Sequence, residues 1–269
     1  MWRETCRVLS AEWLRARKSR ATLAGLVTCI AVVLILYLTY YLAVRRSFMG
    51  IPTGFYLSGA VLSAAVTPLS FVGVLLVAFS MGREFSSGTI SLVWARPLTR
   101  RGWLAGKVLG SVVHLKVFFV LALVLVLAAA GMQLGFSSLM EKDYLIHSAG
   151  SLWWSLILAA ALTWVALVAA VTFVSVPALY IASPGGTIAV SVVAGFILQL
   201  AAGWDALKPF LLSTYLSAPL AQFVAMSKGL PMTEEWGSLT RTCLLGSLIW
   251  TLAGWFWAVW IVNRKEVLS

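Results

Sequence analysis

Apolar residues gather into six long runs, 21–44, 57–81, 108–133, 152–174, 187–204 and 239–262, and the polar residues fall mostly between them. About 20 consecutive apolar residues suffice for a helix to cross the ~30 Å hydrocarbon core of a bilayer, so the pattern predicts six transmembrane helices. Ahead of the first run, Trp2, Cys6, Leu9, Trp13 and Ala16 recur at alternating spacings of four and three, with Arg3, Arg7, Arg15 and Lys18 largely opposite. That stripe predicts an amphipathic helix over 1–20, lying in the membrane interface with its tryptophans at headgroup depth.

Two connections have a pattern of their own. Residues 175–186, SVPALYIASPGG, carry Pro177, Pro184 and a glycine pair but no charge, which predicts a tight turn. The segment 205–238 is long and half apolar. Within it, 209–226 reads as two short helices broken at Pro219, each too short to cross. A re-entrant hairpin dipping into the outer leaflet accommodates them if protein buries the non-helical backbone. The expected fold is an all-α polytopic membrane protein, one transmembrane domain over 1–269.

Composition agrees: 61% of residues are hydrophobic, 11% are charged and the mean hydropathy is +0.95, outside the range of soluble domains. The formal charge of +11 does not indicate nucleic acid, because the cations flank apolar runs rather than forming a basic face with interleaved aromatics. Beside a bilayer such cations meet anionic lipid and fix orientation. Thirteen of the 20 Lys and Arg residues fall on the side of both termini and six on the other, with Lys116 inside a run. The positive-inside rule then makes both termini cytoplasmic in the plasma (inner) membrane, although Arg45 and Arg46 oppose it locally. The basic region before the first run is long and that run exceeds a signal-peptide core, so the N-terminus is expected to remain.

Candidate chemistry is sparse. Cys6, Cys29 and Cys243 are scattered, with no metal or disulfide spacing. Glu141, Asp143 and His147 read as a solvated outer loop rather than a metal cluster, and Asp205, Glu234 and Glu235 as charges near span ends. His114 and Lys116 lie two apart near the start of the third run, off the i, i+4 spacing of a metal pair. The thirteen tryptophans cluster towards span ends as an interfacial belt does. Gly102–Trp–Leu–Ala–Gly106–Lys107–Val108 falls short of a phosphate-binding loop, with one residue too few and no following Ser or Thr. Lys107 is expected to snorkel, and the chain itself is not expected to be an enzyme.

The densest charge lies between the second and third runs. There, Arg83–Glu84–Phe–Ser–Ser–Gly88–Thr89–Ile–Ser–Leu is followed by Arg96–Pro97–Leu98–Thr99–Arg100–Arg101 and then Gly106–Lys107. This strip resembles the motif of ABC-2 type transporter permease subunits: Glu, Gly-Thr, an apolar stretch, Pro with Ser or Thr and Arg, then Gly-Lys. The resemblance covers some twenty-five residues, and the amphipathic N-terminal helix, six spans and outer hairpin are similar to the same family, the type V exporters.

The resemblance implies a cytoplasmic coupling helix within 83–97 that docks on a separate ABC ATP-binding subunit, which carries ATP and Mg while this chain binds no cofactor. Arg83, Glu84, Gly88, Thr89, Ile90, Leu92, Pro97, Arg100 and Arg101 are the expected docking residues. Charge-assisted bonds from Arg83 and Glu84, an apolar anchor from Ile90, Leu92, Val93 and Trp94, and a chain reversal at Pro97 give it a physical rationale. A second permease copy or a related permease, membrane lipids and an extracytoplasmic protein are further expected partners. Cargo would pass between two such subunits along the second and fifth spans, with Thr67, Pro68 and Ser70 as the pivot of the second. The rival reading, a stand-alone secondary transporter or channel, calls for carboxylates at mid-membrane, and no Asp or Glu lies there in the sequence. A lipid-modifying membrane enzyme would require paired acids or a His and Ser constellation.

Overall fold

The computed structural model describes residues 2–18, 20–46, 53–94, 98–141, 144–230 and 235–265. Helix α1 spans Trp2–Lys18 and α2 Arg20–Arg46. Helix α3, Gly54–Val77, passes through a π-helical turn at Ala78–Gly82 into α4, Arg83–Ser86, and a short α5 follows at Thr89–Trp94. Then come α6 at Arg100–Gln133, strands β1 (Leu139–Glu141) and β2 (Tyr144–His147), α7 at Ala149–Ile181, α8 at Pro184–Ala201, α9 at Leu212–Ser227 and α10 at Trp236–Arg264.

Among the described residues six helices are long and apolar enough to cross a membrane, Gly25–Arg46, Gly54–Ser86, Arg100–Gln133, Ala149–Ile181, Pro184–Ala201 and Trp236–Arg264. The protein is therefore a largely helical, polytopic membrane protein. Helix α7 is central. It packs on α10, α9 and α3, and α6 closes the other side of α3. Large side chains such as Phe55, Trp103, Leu156, Leu179 and Phe223 are almost fully buried in the core.

Four local features differ from the sequence pattern. Helix α6 begins at Arg100, eight residues before the apolar run, because Thr99 caps it by accepting a 3.2 Å bond from the Gly102 amide. Helix α7 continues through Pro177 to Ile181, so the turn into α8 is confined to Ala182, with φ at +57°, and Ser183, which caps α8 ahead of Pro184. Pro219 sits inside one continuous α9 rather than between two helices. At ~24 Å this helix is too short to cross, yet its Leu220 and Phe223 are buried in the core. Strands β1 and β2 form an antiparallel hairpin, with Met140 opposite Leu145, in a chain read as wholly helical.

The start of α1 and the end of α10 lie at one end of the bundle, on either side of the start of α6. The Arg100 guanidinium donates to the carbonyls of Val262, Asn263 and Lys265 at 3.1–3.2 Å, satisfying the end of α10. Lys265 in turn donates to the Leu179 carbonyl near the end of α7, and its ammonium stands 4.2 Å over the Phe85 ring. Burial lowers the Lys265 pKa.

Candidate functional site: a polar cluster beneath the second and third spans

Helix α1 lies against α6 through Glu4, Thr5, Val8 and Glu12, a face beside the foreseen stripe, of which Leu9 and Trp13 reach the edge of the contact while Trp2 and Cys6 are exposed. Gly102, Gly106 and Gly110 recur every four residues and form one glycine face. A Cβ on Gly106 would sit 2.5 Å from the Val8 Cβ, and one on Gly102 2.8 Å from Glu4 Oε2. Small residues at this spacing let two helices approach closely. Trp13 packs against His114 with ring centroids 5.3 Å apart and the planes tilted by 35°, and the His114 Nδ1 lies 2.6 Å from the Gly110 carbonyl of its own helix. His114 is thus part of the α1 seat, whereas Lys116 is exposed.

That close approach delivers Glu12 and Arg15 to the join of α3, α4 and α6. Lys107, expected to snorkel, is instead buried with its side chain 2% exposed. Its ammonium donates to Glu84 Oε1 at 2.5 Å, to Glu12 Oε1 at 2.7 Å and to the Ser80 carbonyl of the π turn at 3.1 Å. All three of its N–H bonds are used. Glu84 also accepts from Arg15 at 2.9 Å and, through Oε2, from the indole of buried Trp103 at 3.1 Å. Arg15 reaches Glu12 at 3.2 Å and the Ser80 hydroxyl donates to Glu12 Oε2 at 3.2 Å. Two carboxylates and two cations make the cluster neutral, and the low local dielectric strengthens each contact provided that none is left unpaired. Proximity to Glu84 raises the Arg15 pKa, keeping its guanidinium charged.

Farther along α1, the Thr99 hydroxyl donates to Glu4 Oε2 at 2.6 Å and holds the Glu4 carboxyl below its ordinary range. A folded pKa below the unfolded one adds stability that is present above the unfolded value and lost as pH falls through the folded value. A spin label on exposed Cys6 should therefore stay ordered from neutral pH down to the ordinary glutamate range and loosen only below it. Glu4→Gln should remove that acid step.

The expected docking residues divide between two faces. Arg83, Gly88, Thr89 and Leu92 are exposed along α4 and α5, Leu92 at 68%, and Arg101 is exposed at the start of α6. Gly88, at φ +69°, makes the bend between α4 and α5. Glu84 and Ile90 face the bundle at 7% exposure, and Arg100 is engaged with α10. The Glu84 carboxylate accepts from Lys107, Arg15 and Trp103 within the chain. Arg96 and Pro97 lie outside the described residues, as do the side chains of Val93 and Trp94.

Thr67 and Ser70 line a cavity of about 1230 Å³ bounded by α3, α7, α8, α9 and α10. Pro68 stands beside them within an unbroken α3, and the Ser70 hydroxyl donates to the Val66 carbonyl at 2.9 Å. The phosphate-loop-like segment is the opening of α6, helical throughout. Among the described residues no three His, Cys, Asp or Glu side chains gather to hold a metal. Asp143 and Glu234 lie outside those residues.

Helices able to span a bilayer six times, joined at one end by a buried charge cluster, define a polytopic helical membrane protein. A family profile described as "Protein of unknown function (DUF2705)" matches residues 27–268, and the chain belongs to that family. No curated protein matches it.

Proposed function

We propose that this chain is the membrane-spanning permease subunit of an ABC-2 type transporter in the plasma membrane, with its termini cytoplasmic. A separate ATPase would drive export or an extracytoplasmic process through it. The observation that carries this reading is the division of the motif between the second and third spans. Its outward half, Arg83, Gly88, Thr89 and Leu92, offers a cation, an open bend and an apolar knob to a partner. The inward half ties that surface to the membrane helices through Glu84, Lys107 and Trp103. The resemblance in sequence and the excess of basic residues at the terminal end support it further.

On this reading two permease copies, or one with a related subunit, sit above two ATPases. Closure of the ATPases on ATP pushes α4 and α5. The push passes through Glu84 to Lys107 on α6 and Arg15 on α1, so the three move as one body. Two such bodies rocking about a bistable interface give alternating access without calling on a carboxylate at mid-membrane.

The test is capture of an ABC-type ATP-binding subunit by tagged permease in detergent, identified by mass spectrometry. Arg83→Glu with Leu92→Asp changes only exposed residues. It should reduce capture at least tenfold, the scale of losing a central apolar anchor, with yield and melting temperature unchanged. A wild-type chain that retains its lipids and brings down no ATPase would sink the proposal.

A further inference from the structure

The cavity beside α8 points to a ligand of its own. Helix α8 is the least packed of the spans, with Thr187 its one buried residue. It touches the body at its ends. Near its start, Pro184 lies so close to Gly82 that a Cβ there would be 2.9 Å from the proline nitrogen. Near its end, the Ser213 hydroxyl donates to the Leu198 carbonyl at 3.3 Å. Between these contacts a slot of about 1230 Å³ remains, above the ~300–1,000 Å³ of ordinary small-molecule pockets.

The slot is graded in polarity along its length. Towards the terminal end its walls are apolar, with Val174 and Pro177 of α7 and Trp257 of α10. At the far end Gln199, Ser213, Thr214 and Ser217 join Lys208, the one charged residue among those lining it. Lys208 is half exposed, and its ion-pair partner Asp205, at 2.6 Å, is 92% exposed. A surface pair of this kind is worth little and yields readily to a stronger anion.

We propose that this slot binds an anionic diacyl lipid, its phosphate on Lys208 and its acyl chains laid between α8 and the α3–α7 wall. Helix α8 is ~27 Å long, enough to shelter chains through most of the hydrocarbon core. A single cation at the polar mouth complements a phosphate. It has no counterpart on an apolar transmembrane helix, the other occupant such a slot could take. The inference goes beyond the transporter reading and does not depend on an ATPase partner.

Gly195 supplies the means of testing it, since it lines the slot and a Cβ there meets nothing within 4 Å. Gly195→Trp therefore places an indole at the slot wall with no clash at its first carbon. The full chain is reconstituted in phosphatidylcholine nanodiscs containing equal fractions of diazirine-tailed phosphatidylglycerol or diazirine-tailed phosphatidylcholine, and crosslinked peptides are quantified after illumination. Phosphatidylglycerol should label Val66, Val174 and Gly195 about fivefold more than phosphatidylcholine, the ratio expected for one lysine near an anionic headgroup. Lys208→Gln should abolish that preference, and Gly195→Trp should reduce slot labelling by both lipids at least fivefold. Equal labelling by the two lipids in the wild type, a preference that survives Lys208→Gln, or labelling indifferent to Gly195→Trp overturns the assignment. So does crosslinking concentrated on Val193, Ile197 and Leu200, which do not line the slot and would mark bulk lipid or a second copy.

Discussion

Lys107→Met is expected to destabilise the protein by about 3–5 kcal/mol, the usual cost of removing one partner from a buried ion pair, and to lower its melting temperature by on the order of 10 °C. The ammonium is 2% exposed and bonds to three acceptors, so its loss leaves the Glu84 and Glu12 carboxylates short of their main counter-charge. Arg15 remains beside both, but at 64% side-chain exposure its compensation is screened by solvent. Adding Glu84→Gln to Lys107→Met should recover much of the loss, because the amide needs no counter-charge and still accepts from the Trp103 indole. Fluorescence-monitored unfolding in detergent measures both variants. A single variant within about 1 °C of wild type would show that the cluster carries little of the stability, and a double variant no better than the single would show that the loss does not come from an uncompensated Glu84 carboxylate.

The two halves of this prediction were unequally legible in the sequence. Six apolar runs announce themselves because a span needs ~20 of them in a row. The α1 stripe is equally plain because its period matches a helix. The face by which α1 docks, Thr5, Val8 and Glu12, and its partner on α6 were not. Gly102, Gly106 and Gly110 stand at four-residue spacing in plain view, but they begin ahead of the apolar run, where the sequence is too charged to read as a span and invites comparison with a phosphate loop. The cap at Thr99 draws them into α6. Once there, Lys107 follows Gly106 into the join of three helices rather than to the membrane surface.

Charge pairing over such distances has no local signature. Glu84 is 69 residues from Arg15 and 23 from Lys107, and only the docking of α1 brings the three together. Proline misled in the opposite direction. Pro177 and Pro219 read as breaks, yet both are accommodated inside helices packed on neighbours, whose burial of apolar surface outweighs one missing hydrogen bond. The β-hairpin at 139–147 has too few residues for its alternation to stand out from a loop.

Gly106→Leu should separate α1 from the bundle. A bare Cβ at this position lies 2.5 Å from Val8 Cβ and 3.2 Å from the Thr5 carbonyl oxygen, so the helix axes must part even for alanine, and leucine adds three further carbons to the same gap. The glycines one turn either side leave no room to rotate, since Glu4 and Glu12 lie against them. Thr5, 3% exposed in this seat, is the reporter. In a Cys6→Ser, Thr5→Cys chain the new thiol should resist a water-soluble maleimide, while Cys29 and Cys243 are already buried. Gly106→Leu should raise its labelling rate at least tenfold and Gly106→Ala by less. Because Glu12 and Arg15 leave with α1, Gly106→Leu should also weaken the dependence of stability on Lys107, so that Lys107→Met costs less in that background than alone. A labelling rate unchanged by leucine would mean that α1 is held by its charges rather than by the glycine face, and the coupling of α1 to α4 would then have to run through Arg15 and Glu84 alone.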